Sequence, residues 1–96
     1  MNCFLRTEAR AELEAAAFHY ERLREDLGDE FIDDFLLGIT EIEESPNRWP
    51  EIRQGIRRFR LSRFPYAIVY RVLQTRVDII AIAHQASREG YWLDRR

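Results

Sequence analysis

The chain has 96 residues, of which 46% are hydrophobic and 33% are charged, a composition typical of a globular protein. This length supports one core, and we expect a single domain over residues 1–96. No apolar run reaches the roughly 18 residues of a membrane span, and the amino terminus lacks the apolar stretch of a secretory signal. The single cysteine, Cys3, cannot form an internal disulfide. These features predict a cytoplasmic protein without membrane association.

The net charge of −2 conceals a strong asymmetry along the chain. Residues 1–47 contain 4 arginines and 13 acidic residues, a sum of −9, whereas residues 48–96 contain 11 arginines and 4 acidic residues, a sum of +7. All 15 basic residues are arginine, so no lysine amine is present to act as a base or a Schiff-base former. Two interpretations stay open. The two halves attract each other within the fold, or the basic half faces an acidic partner or a polyanion.

The acidic half contains two amphipathic patterns that predict helices. The first pattern has apolar residues at three- and four-residue steps, namely Ala9, Leu13, Ala16, Ala17, Tyr20, Leu23 and Leu27. We expect Thr7 to cap the start of this helix and Gly28 to end it. The second pattern runs from Phe31 to Ile42, with Asp29 or a neighbour as its cap and Ser45-Pro46 at its end. The short link predicts an antiparallel helix hairpin.

Acidic residues fill the outward positions of both predicted helices. They are Glu12, Glu14, Glu21, Glu25, Asp33, Asp34, Glu41 and Glu43. Acidic residues on a helix are most often solvated, and we expect that here. The outer face of the hairpin is therefore predicted to be negatively charged.

The basic half predicts a sheet. Strands are expected at about 56–63, 66–73 and 76–84, preceded by a connection over residues 46–55, and Met1–Leu5 can form a short first strand. Because the turn near residue 74 is short, the last two strands should pair antiparallel. Both faces of residues 79–83 are apolar, as in a central strand that is covered on both sides. The predicted fold class is α+β, with an N-terminal antiparallel helix hairpin packed on a small, mostly antiparallel sheet.

Arginines alternate with apolar residues between Ile56 and Val72. The arginines are Arg57, Arg58, Arg60, Arg63 and Arg71, and the apolar residues are Phe59, Leu61, Phe64, Tyr66, Ile68 and Tyr70. In a strand, this alternation sends one set of side chains into the core and the other to the opposite face. The pattern predicts a rigid sheet that displays fixed positive charge, suited to a polyanion or to an acidic protein surface.

Candidate residues for chemistry are few. His19 and His84 are the only histidines and no Cys/His cluster exists, so no metal site is predicted. His84 follows the buried strand, where it can act as a general acid or base or simply bond the following loop. Tyr91 and Trp92 lie in an arginine-rich C-terminal segment. They either pack on the fold or anchor a partner.

Taken in order, these motifs resemble the RelE/ParE toxins of bacterial type II toxin–antitoxin systems, on the ParE side. The resemblance rests on Ala9-Arg10-Ala11-Glu12-Leu13, Tyr20, Leu27-Gly28, Phe31, Ile42, Ser45-Pro46, Trp49-Pro50, Ile56-Arg57-Arg58, Leu61, Arg63-Phe64-Pro65-Tyr66, Ile68-Val69-Tyr70-Arg71, Ile80-Ala81-Ile82-Ala83-His84, Arg88, Gly90-Tyr91-Trp92 and Arg95. It covers nearly the whole chain. It departs from the ParE pattern at Glu89, where a proline is usual.

The resemblance implies a small cytoplasmic toxin without a cofactor. A cognate antitoxin, ParD-like or another small protein, would neutralise it in a hetero-oligomer. ParE-like members are associated with DNA gyrase, and the implied target-binding residues are Arg63, His84, Arg88, Tyr91, Trp92 and Arg95. We expect Tyr91, Trp92 and Arg95 to face the target rather than the fold.

Two alternatives to gyrase inhibition remain. RelE-like members cut mRNA on the ribosome, and the catalytic candidates for that activity would be Arg58, Arg60, His84 and Tyr91. Two basic groups of that branch are missing, because Ala67 and Gln85 occupy the corresponding positions. The sequence therefore favours a protein that acts by binding rather than as an enzyme. The second alternative is a module that has lost toxicity and still binds its antitoxin.

Overall fold

The computed structural model describes residues 1–95 and has an α+β architecture. Its helices are α1, Thr7–Leu23, and α2, Leu27–Glu44. Within the described residues the strands are β1, Cys3–Leu5; β2, Glu51–Arg53; β3, Ile56–Arg60; β4, Tyr66–Val72; and β5, Val77–His84. They form one sheet in the order β1-β5-β4-β3-β2. Only β1 and β5 pair in parallel, so the predicted helix hairpin on a mostly antiparallel sheet is confirmed.

The helix hairpin covers one face of the sheet with aromatic side chains. The ring of Phe31 from α2 stands perpendicular to that of Phe64, at 5.3 Å between centroids, and also meets the ring of Tyr66. Tyr20 from α1 contacts both Phe31 and Phe64. Edge-to-face pairs of this kind add specific geometry to apolar burial. This cluster fixes the start of β4 against the two helices.

A second core lies on the opposite face of the sheet. It contains Ile56, Val69, Ile80, Ala81 and Trp92, all of them buried. Tyr70 pairs with Ile79 and Val69 with Ala81, so Ile80 is an extra residue that forms a β-bulge. The prediction that β5 is covered on both sides is confirmed. The second cover is supplied by the C-terminal segment, which contains a short 3-10 helix over Leu93–Arg95.

The predicted helix boundaries need correction. Thr7 is the first residue of α1, and Arg6 occupies the capping position without a side-chain cap bond. Gly28 does not end α1, which stops at Leu23; it is the second residue of α2. The carboxylate of Glu21 accepts bonds from the amides of Asp26 and Gly28, and so begins α2 before Asp29. Asp26 has a positive φ of 70°, which reverses the chain direction between the helices.

Two predicted features of the sheet also differ. The connection over residues 46–55 contains β2, which pairs with β3 and was not predicted. Strand β3 ends at Arg60 rather than at 63. The carboxylate of buried Asp34, on α2, accepts bonds from the Ser62 hydroxyl and from the amides of Arg63 and Phe64. These bonds hold residues 62–64 as a loop, and they show that Asp34 is not a solvated surface residue.

Gly28 provides a test of the hairpin. A Cβ at this position would lie 2.7 Å from the carbonyl oxygen of Ala17 on α1, too close for the backbone to accommodate without movement. Gly-to-Ala substitutions in open helix positions stabilise, but Gly28→Ala should lower the free energy of unfolding by about 1–2 kcal/mol through overpacking. Urea denaturation measures this change. Leu37→Ala, at an exposed position of the same helix, is the control, and a stabilised Gly28→Ala variant would contradict the close helix contact.

Candidate functional site

Strand pairing places two arginines of β3 on the sheet face that lies away from the helices. Phe59 belongs to the helix-side core, so its neighbours Arg58 and Arg60 point to the opposite face. Arg58 pairs with Val69 and Arg60 with Ala67 on β4. The expected alternation of guanidinium and apolar side chains holds over residues 58–60. It fails at the start of β3, because Arg57 lies on the helix side and donates to the carbonyls of Asn47 and Trp49, while Ile56 is in the second core. Arg58 and Arg60 give one end of the face away from the helices a positive border.

A cavity of about 290 Å³ opens beside these arginines, and we call it the arginine groove. Its lining includes Arg58, Arg60, Ala67, Ala83, His84, Gln85, Arg88, Glu89 and Tyr91. Ala67 and Ala83 pair across β4 and β5, and their small side chains leave the hollow between the larger residues. The groove thus combines an apolar floor with guanidinium groups at its rim.

The arginines of the groove differ in their partners. Nη1 of Arg58 donates to both carboxylate oxygens of Glu89, at 3.1 Å each. Arg60 and Arg88 are exposed. Glu89, where a proline is expected from the family pattern, therefore supplies a carboxylate inside a basic groove.

His84 is already engaged by the chain itself. Its Nδ1 accepts a bond from the amide of Ala86 at 2.9 Å, and its ring packs edge-on against Tyr66 at 4.9 Å. This is the loop-bonding role that the sequence left open for His84. The imidazole borders the groove in a fixed orientation, and a general acid or base there would have to use its other ring nitrogen.

The C-terminal segment packs on the fold. Trp92 is only 2% exposed and belongs to the second core, so the expectation that it faces a target is wrong for this conformation. The hydroxyl of Tyr91 donates to Glu12 at 2.7 Å, and Nη1 of Arg95 donates to the same carboxylate at 2.9 Å. Arg95 thus binds the fold and does not line the groove. The physical reason is that the face of β5 opposite the helices needs an apolar cover, which Trp92 supplies.

The pKa of Tyr91 is raised, first by burial and then by its bond to the Glu12 carboxylate. The phenol therefore keeps its proton at neutral pH, because both effects disfavour the phenolate. The pKa of Arg95 is also raised, mainly by the hydrogen bond to Glu12. Tyr91 is thus suited to donate a hydrogen bond and unsuited to remove a proton from a substrate.

Glu12 departs most from the environment that its sequence position predicts. The helical pattern predicts a solvated face, yet Glu12 accepts bonds from the Ile82 amide, the Tyr91 hydroxyl and the Arg95 guanidinium. A signal was present, since Glu12 lies three residues after Ala9 and four before Ala16, beside the apolar stripe of α1. A charged residue at the border of a buried stripe is a candidate for an internal partner.

The structure brings some predicted site residues together and separates others. Arg58, Arg60, His84, Arg88 and Tyr91 surround the groove. Arg63 lies elsewhere, where its Nη2 donates to Glu30 on α2 at 2.8 Å. That contact, followed by the bonds of Arg24, lowers the pKa of Glu30. Arg63 therefore joins the sheet to the helix hairpin.

Two further features bear on the kind of site. Among residues 1–95, no group of three His, Cys, Asp or Glu side chains is placed to hold a metal ion. None of the helices in this part of the chain combines the length and the apolar character needed to cross a membrane.

Glu12 gives the second test. Glu12→Ala leaves the half-buried Arg95, the Tyr91 hydroxyl and the Ile82 amide without their acceptor, and should lower the free energy of unfolding by about 2–4 kcal/mol. Urea denaturation measures the loss. Glu14→Ala, on the exposed side of the same helix, should change stability by no more than about 0.5 kcal/mol. Equal effects of the two substitutions would show that Glu12 does not hold the C-terminal segment.

Comparison with known proteins gives a consistent result. The family model described as the ParE toxin of the type II toxin–antitoxin system parDE matches residues 4–89. The chain is also similar to a solved structure described as the chromosomal ParDE TA system from P. aeruginosa, with a TM-score of 0.78 and 23% sequence identity. This match covers 88% of the present chain and 95% of the other. A comparison with curated protein sequences gives no significant match. Because the family model spans most of the chain, the protein belongs to the ParE toxin family of type II toxin–antitoxin systems.

Proposed function

We propose that this protein is a cytoplasmic ParE-type toxin that acts by binding, with DNA gyrase as its target and a cognate antitoxin as its neutralising partner. The observation that supports binding over chemistry is the floor of the arginine groove. Ala67 is buried there, at a position where a RelE-type ribonuclease would carry a basic group. RNA cleavage needs charge stabilisation and proton transfer at the reacting phosphate.

Other features of the groove support the same proposal. Gln85 stands at the second position where a basic group is missing, and it carries no charge. Tyr91 retains its proton, for the reasons given above, and Nδ1 of His84 is bonded to the loop. Arg60 and Arg88 remain exposed at the rim, where they can contact an acidic surface. Exposed guanidinium groups are frequent in protein interfaces.

A ribosome-dependent ribonuclease is the second candidate function. One observation favours it, namely that Arg58, Arg60, His84 and Tyr91 gather around one groove. A module that binds its antitoxin but has lost toxicity is the third candidate. The three candidates predict different effects on a growing cell.

Expression without an antitoxin separates these candidates. A gyrase inhibitor should block cell division, induce the DNA-damage response and raise the amount of trapped gyrase–DNA cleavage complexes. Rapid fragmentation of mRNA with intact DNA would favour the ribonuclease instead. Normal growth despite strong expression of folded protein would indicate the non-toxic module.

Arg60→Ala should weaken growth arrest if the groove contacts the target. The matched control is Arg76→Ala, which removes an exposed arginine stacked over Phe4 and should leave growth arrest unchanged.

The partner gives a further prediction. The antitoxin should have a disordered segment that folds upon the toxin, with apolar anchors beside the helix hairpin and acidic groups near the arginines. Large exposed side chains on the helices offer contacts for such anchors, namely Phe18, Leu23, Leu36 and Leu37. The toxin should co-purify with the antitoxin, a small protein encoded beside it, and this co-purification should be lost when the disordered segment of the antitoxin is deleted. Nanomolar binding that survives the deletion would contradict this mode of neutralisation.

A further inference from the structure

The pair between Arg58 and Glu89 is exposed and easily broken. The Glu89 side chain is 61% exposed and the Arg58 side chain 26%. Both contacts use a single guanidinium nitrogen, Nη1, rather than the two-nitrogen fork that makes the strongest arginine–carboxylate pairs. Exposed ion pairs contribute little to stability, because water screens the charges. Glu89 therefore occupies the guanidinium of Arg58 without being firmly held there.

The backbone nevertheless keeps the Glu89 carboxylate near the groove. Gly90 has a positive φ of 81°, and the amide of Leu93 bonds to the Gly90 carbonyl at 3.0 Å. The following Trp92 is anchored in the second core. A tight turn attached to a buried tryptophan thus returns Glu89 to Arg58 whenever the carboxylate leaves. The effective concentration of this internal carboxylate is high.

The rest of the groove is suited to an extended peptide. Arg60 and Arg88 are exposed at its rim, while Ala67 and Ala83 form its apolar floor. An extended segment turns successive side chains to opposite sides, so a segment that alternates acidic and apolar residues can satisfy both surfaces. The Glu89 carboxylate repels phosphates and carboxylates alike. What favours a peptide over a polynucleotide is the apolar floor of Ala67 and Ala83, which apolar side chains can contact and phosphates cannot use.

We propose that the arginine groove is the docking site for an acidic, extended segment of the neutralising antitoxin, and that Glu89 is an internal carboxylate which this segment displaces from Arg58. The inference rests on the proposed function only for the identity of the partner. Glu89 then acts as a competitor that lowers the affinity of the groove for weakly acidic proteins. Only a segment with several carboxylates gains enough binding free energy from Arg58, Arg60 and Arg88 together to displace the Glu89 carboxylate.

A binding measurement on the isolated full chain tests the displacement. The protein and its variants are made by cell-free synthesis, and the probe is a short fluorescein-labelled peptide of alternating glutamate and leucine, followed by fluorescence anisotropy. Glu89→Gln should tighten peptide binding about two- to fivefold, as expected for removal of an exposed competing pair. Asp94→Asn, which removes one exposed negative charge from the same C-terminal segment, should leave the affinity unchanged. If both variants tighten peptide binding equally, the change in net charge alone explains the effect, and the proposal is overturned.

Arginine variants and a second probe complete the test. Arg58→Gln and Arg60→Gln, each checked for an unchanged melting temperature, should each weaken peptide binding about two- to fivefold. A single-stranded RNA oligonucleotide that binds the wild type while the peptide does not would replace the proposal with a nucleic-acid groove. Growth arrest is measured separately, so a toxin that fails to bind the peptide refutes the docking site without refuting the proposed function.

Discussion

The three hydrogen bonds accepted by Glu12 connect the parts of the molecule that define the groove. One carboxylate from α1 bonds the amide of Ile82 on β5, the hydroxyl of Tyr91 and the guanidinium of Arg95. Burying a carboxylate is costly unless it is paired and hydrogen-bonded, and these three donors satisfy that requirement. The first helix, strand β5 and the C-terminal segment therefore keep one arrangement. Tyr91 can border the groove only because Glu12 holds its other side.

The charge asymmetry of the sequence has two outcomes in the structure. Arg63 pairs with Glu30 and Arg95 with Glu12, so part of the basic half is neutralised by the helices. Arg60 points to the face of the sheet opposite the helices, and Arg88 follows β5 at the groove rim; both stay exposed. The attraction between the two halves is thus confirmed for Arg63 and Arg95, whereas a partner surface at Arg60 and Arg88 stays a prediction. The alternation of strand β3 decides the position of Arg60. Arg63, Arg88 and Arg95 lie outside the strands, so their positions depend on the loop after β3 and on the C-terminal segment.

The limits of prediction from the sequence follow from the range of each interaction. The helices and the last two strands were predictable, since their apolar periodicity is local. Gly28 was misread because its φ is ordinary and its role is close contact with Ala17 on the other helix. Strand β2 was missed because it has only three residues and depends on pairing with β3. In the site, the strand face of Arg58 and Arg60 was predictable, but the bonds of Glu12 and Glu89 join residues far apart in sequence.

The burial of Trp92 changes how the C-terminal segment should be interpreted. Trp92 covers Val69 and Ile80, so removal of this segment would expose the sheet face as well as remove Tyr91 and Arg88. Large apolar side chains in a core contribute several kilocalories per mole, a large share of the stability of a small domain. Loss of toxicity after truncation therefore cannot identify a target contact. Exposed residues that leave Trp92 in place, above all Arg60 and Arg88 at the groove rim, are the positions where recognition can be separated from folding.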